Sequence, residues 1–315
     1  MKAVVLAGGV GGARMAAGLC QVLPPADLTV VVNTGDDFEH LDLRICPDLD
    51  TVMYTLAGIA NRETGWGIAG DTFEALSALE RVGGPAWFRL GDRDLATHLQ
   101  RTALLKDGLS LTEVTARLCG ALGVGPAILP MTDDHLATKI QTAEGELDFQ
   151  DYFVRQRCEP VVQGIRFAGI DSAKPAAAVR QVLDAADGIV IAPSNPFVSV
   201  DPILALPGMR DLVASKPVVS VSPIVGGSAI KGPAAKMLLE LGLDVSALGV
   251  ARRYAGLAGG FIIDEQDAGL AADVAALGYE TVVAQTVMRS DADREALGRT
   301  CLALLGRVAP KNGRA

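Results

Sequence analysis

The sequence predicts an α/β protein: a Rossmann-like, doubly wound, mostly parallel sheet carrying a helical insertion and a small β-hairpin element. Three observations predict it. Short apolar runs alternate with helical patterns along most of the 315 residues, the signature of βαβ units. The first run, residues 3–6, is followed almost at once by Gly8-Gly9-Val10-Gly11-Gly12, a loop suited to phosphate oxygens. Further polar loops follow later runs, at the strand ends where open parallel sheets bind ligands.

Strands are expected at 3–6, 28–32, 127–129, 188–192, 218–221, 260–263 and 281–284. Helices are expected at 13–22, 49–57, 73–79, 94–105, 111–122, 175–186, 234–241, 270–277 and 291–305. No strand pattern interrupts 66–122, which reads as a helical insertion. Alternation in Ala137-Thr138-Lys139-Ile140-Gln141-Thr142, then Glu144-Gly145-Glu146, marks a hairpin insertion at about 136–167. No linker or repeat divides the chain, so one elaborated domain is expected over 1–315, with a short basic tail at 311–315 that frays.

Half the residues are hydrophobic, ample for a buried core. A net charge of −9 and a pI of 4.9 argue against nucleic-acid or acidic-membrane surfaces but allow a small anion in a local pocket. The five cysteines, Cys20, Cys46, Cys119, Cys158 and Cys301, form no C-x-x-C pair, which predicts reduced thiols and no zinc site. No apolar run reaches the ~20 residues of a membrane span, and the chain begins on a strand rather than a signal peptide. A cytoplasmic protein without membrane or nucleic-acid partners is expected.

The glycine loop is not a P-loop, because Gly12 is followed by Ala13-Arg14 instead of Lys-Ser/Thr. It is not a nicotinamide fingerprint, because Arg14 stands where the third glycine belongs. Four glycines in five positions with Arg14 at the helix start favour phosphate binding over a plain turn, and mark Gly8, Gly9, Gly11 and Gly12 as nucleotide-binding. After the second strand come Asn33-Thr34-Gly35-Asp36-Asp37 and Cys46-Pro47-Asp48-Leu49-Asp50-Thr51. Carboxylates beside a phosphate repel it unless a divalent cation lies between them. Asp48 reads as the N-cap of the next helix, which leaves Asp36 and Asp50 as the expected Mg2+ ligands and catalytic pair.

In Gly91-Asp92-Arg93-Asp94 and the helix it opens, Asp94, His98 and Arg101 share one face. His98 is either a general base or a structural partner of Asp94. Pro193-Ser194-Asn195-Pro196 and Ser222-Pro223-Ile224-Val225-Gly226-Gly227, with Lys231 beyond, follow two later strands. Ser194, Asn195, Ser222, Gly226, Gly227 and Lys231 are therefore expected to hold a nucleotide across the switch point. Thr132-Asp133-Asp134 adds a third polar loop there.

Taken together these segments resemble the 2-phospho-L-lactate transferase family of coenzyme F(420) biosynthesis, over nearly the whole chain and in matching order. The Cys-Pro-Asp-Leu-Asp-Thr and Gly-Asp-Arg-Asp segments are its specific marks. The resemblance implies a Rossmann-like fold, a homodimer and a Mg2+-dependent reaction. In it the guanosine diphosphate ester of a three-carbon acid gives its phospho-acid group to the terminal ribityl hydroxyl of the deazaflavin Fo, releasing GMP. It also implies that Asp50, Arg93, Asp94 and His98 frame Fo, with Trp66 as a stacking surface. Two rivals remain: a non-catalytic nucleotide-sugar-binding regulator of the gluconeogenesis-factor type, and a nicotinamide oxidoreductase. The transferred acid is lactate, enolpyruvate or glycerate; the Ala- and Gly-rich, Lys-poor composition is that of bacterial members and favours enolpyruvate.

Overall fold

Ala3–Ala7 reads AVVLA, Gly188–Ile191 reads GIVI and Gly260–Asp264 reads GFIID, and each is buried along its whole length. Strands covered on both faces are continuous apolar runs rather than alternating ones. In the computed structural model, which describes residues 1–311, these strands belong to one seven-stranded sheet. Its order is Glu280–Ala284, Gly260–Asp264, Val218–Val221, Gly188–Ile191, Ala3–Ala7, Leu28–Val32, Ala127–Pro130, and every neighbouring pair is parallel. All seven strands lie where the sequence predicts them, each end within one residue. The expected tail falls mainly on 312–315, outside the described residues.

The chain starts in the middle of the sheet, builds to one edge, then returns to build the other. The reversal lies between Ala3–Ala7 and Gly188–Ile191, which pair from Ala3↔Gly188 to Leu6↔Ile191. Loops leaving two strands at such a point diverge and open a crevice. Helices Gly9–Cys20, Pro47–Leu56 and Asp291–Leu305 cover one face, with Met15, Leu19, Val52, Leu297 and Cys301 in its core. The other face is covered by Ala177–Asp184, Met209–Ala214, Ala234–Glu240 and Ala247–Arg253.

Two additions depart from this frame. Between the second and third sheet strands come a hairpin, Phe38–His40 with Leu43–Ile45, and helices Glu74–Arg81, Asp92–Lys106 and Leu111–Ala121. After Ala127–Pro130 stands a three-stranded antiparallel sheet in the order Gly145–Asp148, Ala137–Thr142, Gly164–Ala168, where the sequence suggested a hairpin alone. Short helices at Pro196–Val200, Asp201–Ala205, Met209–Ala214 and Ala247–Arg253 were not legible, because Pro196, Pro202, Pro207 and Gly208 break the first three into pieces too short for a periodic signal. Among the described residues no helix is long and apolar enough to cross a membrane.

The first helix starts at Gly9, four residues before the expected 13, so Gly9–Gly12 form its opening turn instead of a loop. Packing overrides the poor helix propensity of glycine here. A Cβ on Gly11 would lie 2.1 Å from the Pro193 carbonyl oxygen, and one on Gly12 would lie 2.7 Å from Ala7 Cβ. The same closeness recurs at the helix's far end, where a Gly18 Cβ would meet the Arg294 carbonyl oxygen at 2.1 Å. Gly→Ala within a helix ordinarily stabilises by ~1 kcal/mol. Gly18→Ala should instead destabilise by about 1–3 kcal/mol as overpacking; urea unfolding checks the sign.

Candidate functional site

A cleft of about 660 Å³ opens over the switch point. One end is the N-terminus of the helix Gly9–Cys20, whose first-turn N–H groups and positive dipole end suit an anion. Gly8, Gly9 and Gly11 line it; Gly12 does not, its face being closed by Ala7 and Ser194. Arg14 and Lys231 also face the cleft. Their hydrogen bonds go to carbonyls, Arg14 Nη1 to Met288 O at 3.3 Å and Lys231 Nζ to Thr64 O at 2.7 Å. Among the described residues neither forms a salt bridge, and burial followed by repulsion from Arg14 lowers the Lys231 ammonium below its ordinary pKa. Arg14 and Lys231 give this end of the cleft its positive charge, beside the Asp48 carboxylate.

The second-half loops reach the same cleft, but much of their polarity is spent locally. Ser194 Oγ donates to Gly8 O at 2.8 Å, tying the two switch-point loops together. Asn195 Oδ1 accepts from Phe197 N at 3.0 Å, and Ser222 Oγ donates to Ile224 O at 2.8 Å. Gly226 and Gly227 do not line the cleft. They are the two-residue turn of a hairpin, Ile224–Val225 with Ser228–Ala229, at φ 56° and 74°, and the Gly226 N–H is taken by the Asp267 carboxylate at 3.1 Å. Thr132, Asp133 and Asp134 likewise serve local structure: Asp133 accepts from Thr112 N, Asp134 from Lys174 N, and Thr132 Oγ1 donates to Lys174 O.

The carboxylates sort differently from the expectation. The helix starts at Pro47 with Cys46 as N-cap, so Asp48 does not cap its own helix. Its side chain turns to Asn33 Nδ2 at 3.0 Å and to the Gly9 N–H, beside Asp36. Burial pushes the Asp48 carboxyl up to about 6, and burial with the Asp48 charge holds Asp36 well above the usual carboxylate range. Asp36 Oδ1 is buried with no hydrogen-bond partner. Two adjoining buried carboxylates, one with an orphaned oxygen, fit a hard cation that seeks oxygen. Among the described residues no three His, Cys, Asp or Glu gather as a metal site, so water and substrate would complete such a shell, as is usual for magnesium.

Asp50, the other half of the expected metal pair, is already partnered. Both its oxygens are held by Arg101, Nη1 to Oδ2 at 3.1 Å and Nη2 to Oδ1. His98 Nδ1 lies 3.1 Å from Arg101 Nη1; its Nε2 is buried 3.2 Å from Asp94 Oδ1 without a hydrogen-bond partner, and Asp94 Oδ1 accepts from Tyr54 OH at 2.8 Å. Asp50, Asp94, His98 and Tyr54 line the cleft while Arg101 lies behind them. The structure thus brings Asp94 and His98 to the site but carries Arg93 away. Arg93 points to Ala69 O on an outer groove, because Asp92 and its neighbours serve as helix caps. Asp71 accepts from the N–H groups of Arg93 and Asp94, and Asp92 accepts from those of Glu74 and Ala75.

The far end of the cleft is aromatic. Trp87 and Phe88 meet edge-on at 5.6 Å, Phe149 and Phe153 are stacked at 5.4 Å, and Arg89 and Arg157 lie among them. The sequence reading named none of these residues; adjacent Trp87-Phe88 in a Gly- and Pro-containing connection was the signal available. Trp66, the expected stacking surface, is 43% exposed and lines the cleft beside Thr64, at the cationic end.

The family described as 2-phospho-L-lactate transferase CofD matches residues 3–302 of the chain. A phosphoenolpyruvate transferase of Streptomyces griseus subsp. griseus is 44% identical over 316 residues, covering 98% of this chain and 99% of that protein. A 2-phospho-L-lactate transferase of Methanosarcina mazei is 40% identical over 287 residues, covering 91% and 95%. A solved protein of the UPF0052 family from Bacillus halodurans superposes with a TM-score of 0.61 over 95% of this chain and 99% of its own. At 16% identity that likeness speaks for the fold alone.

Because Gly226-Gly227 forms a turn of the kind that Asn-Gly also satisfies, Gly226→Asn should leave anion binding at the cationic end of the cleft within about twofold. Lys231→Met should weaken it by about tenfold, the loss of one charge-assisted contact. Calorimetry with GMP and GDP checks both.

Proposed function

We infer the reaction from the premise that this chain belongs to the 2-phospho-L-lactate transferase family: it is an enzyme of coenzyme F(420) biosynthesis that transfers a phospho-acid group. The donor is the guanosine diphosphate ester of a three-carbon acid, and the acceptor is the ribityl hydroxyl of Fo. The hydroxyl oxygen attacks the phosphorus bearing the acid. The anhydride bond breaks, GMP leaves with the bridging oxygen, and the hydroxyl proton passes to water. The observation that carries this reading is the polarity of the one cleft: a cationic helix N-terminus at one end, carboxylates at the middle, an aromatic wall at the other. No single substrate needs all three; a diphosphate ester and a tricyclic acceptor together do.

In this reading the Gly8–Gly11 turn, Arg14 and Lys231 bind the diphosphate, and Trp87, Phe88, Phe149 and Phe153 take the deazaflavin ring. Asp36 and Asp48, instead of Asp36 and Asp50, would hold Mg2+, whose chemistry there is neutralisation of phosphate oxygens. Asp50, fixed and facing the cleft, accepts a hydrogen bond from the ribityl hydroxyl and aims it. Phosphoryl transfer asks little more of a protein than such placement and charge. Five unpaired thiols support a cytoplasmic location.

The test is GMP release from the donor with Fo and magnesium. Asp50→Asn should lower kcat by about 10²-fold or more. Asp50→Ala is a poorer probe, since it strands a buried arginine at a cost of about 3–5 kcal/mol. Absence of GMP release under every combination of donor, Fo and metal would reject the transferase reading in favour of a binding protein.

The enolpyruvyl donor is favoured. The Streptomyces griseus protein carrying the phosphoenolpyruvate name is 44% identical, against 40% for the Methanosarcina mazei 2-phospho-L-lactate transferase. Planar enolpyruvate and tetrahedral lactate differ by only ~1–3 kcal/mol in a close pocket, so some cross-reaction is expected. Parallel kcat/KM values for enolpyruvyl, lactyl and glyceryl donors check the order; the enolpyruvyl donor ranking last would overturn it.

A further inference from the structure

We propose that Arg101 is a positioning residue for the acceptor hydroxyl, acting through Asp50. The proposal rests on the reading above that Asp50 meets the acceptor, and goes beyond it by naming what aims Asp50. Arg101 is 1% exposed and does not line the cleft, so it touches no substrate. Its guanidinium instead holds both oxygens of Asp50, with Nη1 to Oδ2 at 3.1 Å and Nη2 on Oδ1. A two-pronged grip fixes the plane of a carboxylate as well as its place, which a single ammonium cannot do.

The guanidinium is itself aimed. An arginine does not give up its proton in a protein, so the His98 Nδ1 atom 3.1 Å from Nη1 must be the acceptor. The Nδ1 of His98 is thereby committed to the clamp. The ring's Nε2 is buried 3.2 Å from Asp94 Oδ1 without a hydrogen bond of its own, and the Tyr54 hydroxyl ends on that same oxygen at 2.8 Å. Arg44 O adds a further acceptor for Nη1 at 3.4 Å. Among the groups that hydrogen-bond to Arg101, Asp50 is the one gripped on both oxygens, and it lines the cleft.

The experiment compares Arg101→Lys, Asp50→Asn and the double variant in the full-length enzyme. Each is first shown to be folded by its melting curve, then assayed with varied Fo, with donor affinity measured separately by calorimetry. Arg101→Lys is expected to lower kcat/KM for Fo by about 10²-fold, the scale of a small misplacement of a reacting group, with donor Kd unchanged. In the Asp50→Asn background the same substitution should cost no more than about threefold, because residues acting as one unit are not additive. An equal cost in both backgrounds, or a donor Kd weakened as much as the acceptor term, overturns the proposal. Asp50→Asn at wild-type kcat/KM overturns the underlying reading, and is told apart because no Arg101 variant enters it. If Arg101→Lys melts below the assay temperature, His98→Gln keeps the ion pair but withdraws the ring, and should give an acceptor-only loss of about tenfold; no loss there also overturns the proposal.

Discussion

The buried pair of Asp50 and Arg101 is the interaction on which the rest of the site depends. Asp50 sits on Pro47–Leu56, a helix packed on the sheet; Arg101 sits on Asp92–Lys106, within the insertion. Removing both charges from water costs several kcal/mol each, offset only where geometry is good and the remaining hydrogen-bonding groups are satisfied. Here the two prongs, His98 Nδ1 and the Arg44 carbonyl supply that. Apolar surfaces can slide over one another, whereas these hydrogen bonds admit one arrangement. The aromatic wall around Trp87 and the cleft face of Asp94 are therefore held at a fixed distance from the phosphate end by a charge contact whose Arg101 half lies behind the cleft.

Much of the fold was legible because the sheet is buried on both faces, and a run such as Gly188–Ile191 has no other use for four apolar residues. The site was legible only in part. Asp36, Asp50, Asp94, His98 and Lys231 do come to one cleft. What could not be read was which carboxylates would pair. Residues i and i+2 of a helix point about 200° apart, so once the helix begins at Pro47, Asp48 and Asp50 diverge, one to Asn33 and the other to Arg101. A helix start two residues later would have capped with Asp48 and reversed the conclusion. Asn195 and Ser222 also line the cleft while making local hydrogen bonds, whereas Gly226 is engaged by Asp267 and Arg93 is turned outward by the capping around it.

The rivals of a transferase fare unequally. A regulator of the same fold needs a nucleotide end, and the solved Bacillus halodurans protein shows that the architecture extends well beyond close relatives. Such a protein has no evident need for a carboxylate gripped on both oxygens or for an aromatic chamber opposite the helix N-terminus. The nicotinamide alternative meets Arg14 at the position where a dinucleotide fold wants a glycine for close helix–strand contact, and that side chain crosses to Met288 instead.

The crossed capping of Asp71 and Asp92 has a consequence for how the insertion fluctuates. Asp71 caps the helix containing Asp92, and Asp92 caps the helix following Asp71, so neither helix start is satisfied alone. Opening one removes the cap of the other. Glu74–Arg81 and Asp92–Lys106 therefore make up a single cooperative unit, a foldon in the sense of native-state hydrogen exchange. The connection between them, which carries Trp87 and Phe88, is tethered at both ends of that unit and shares its opening and closing.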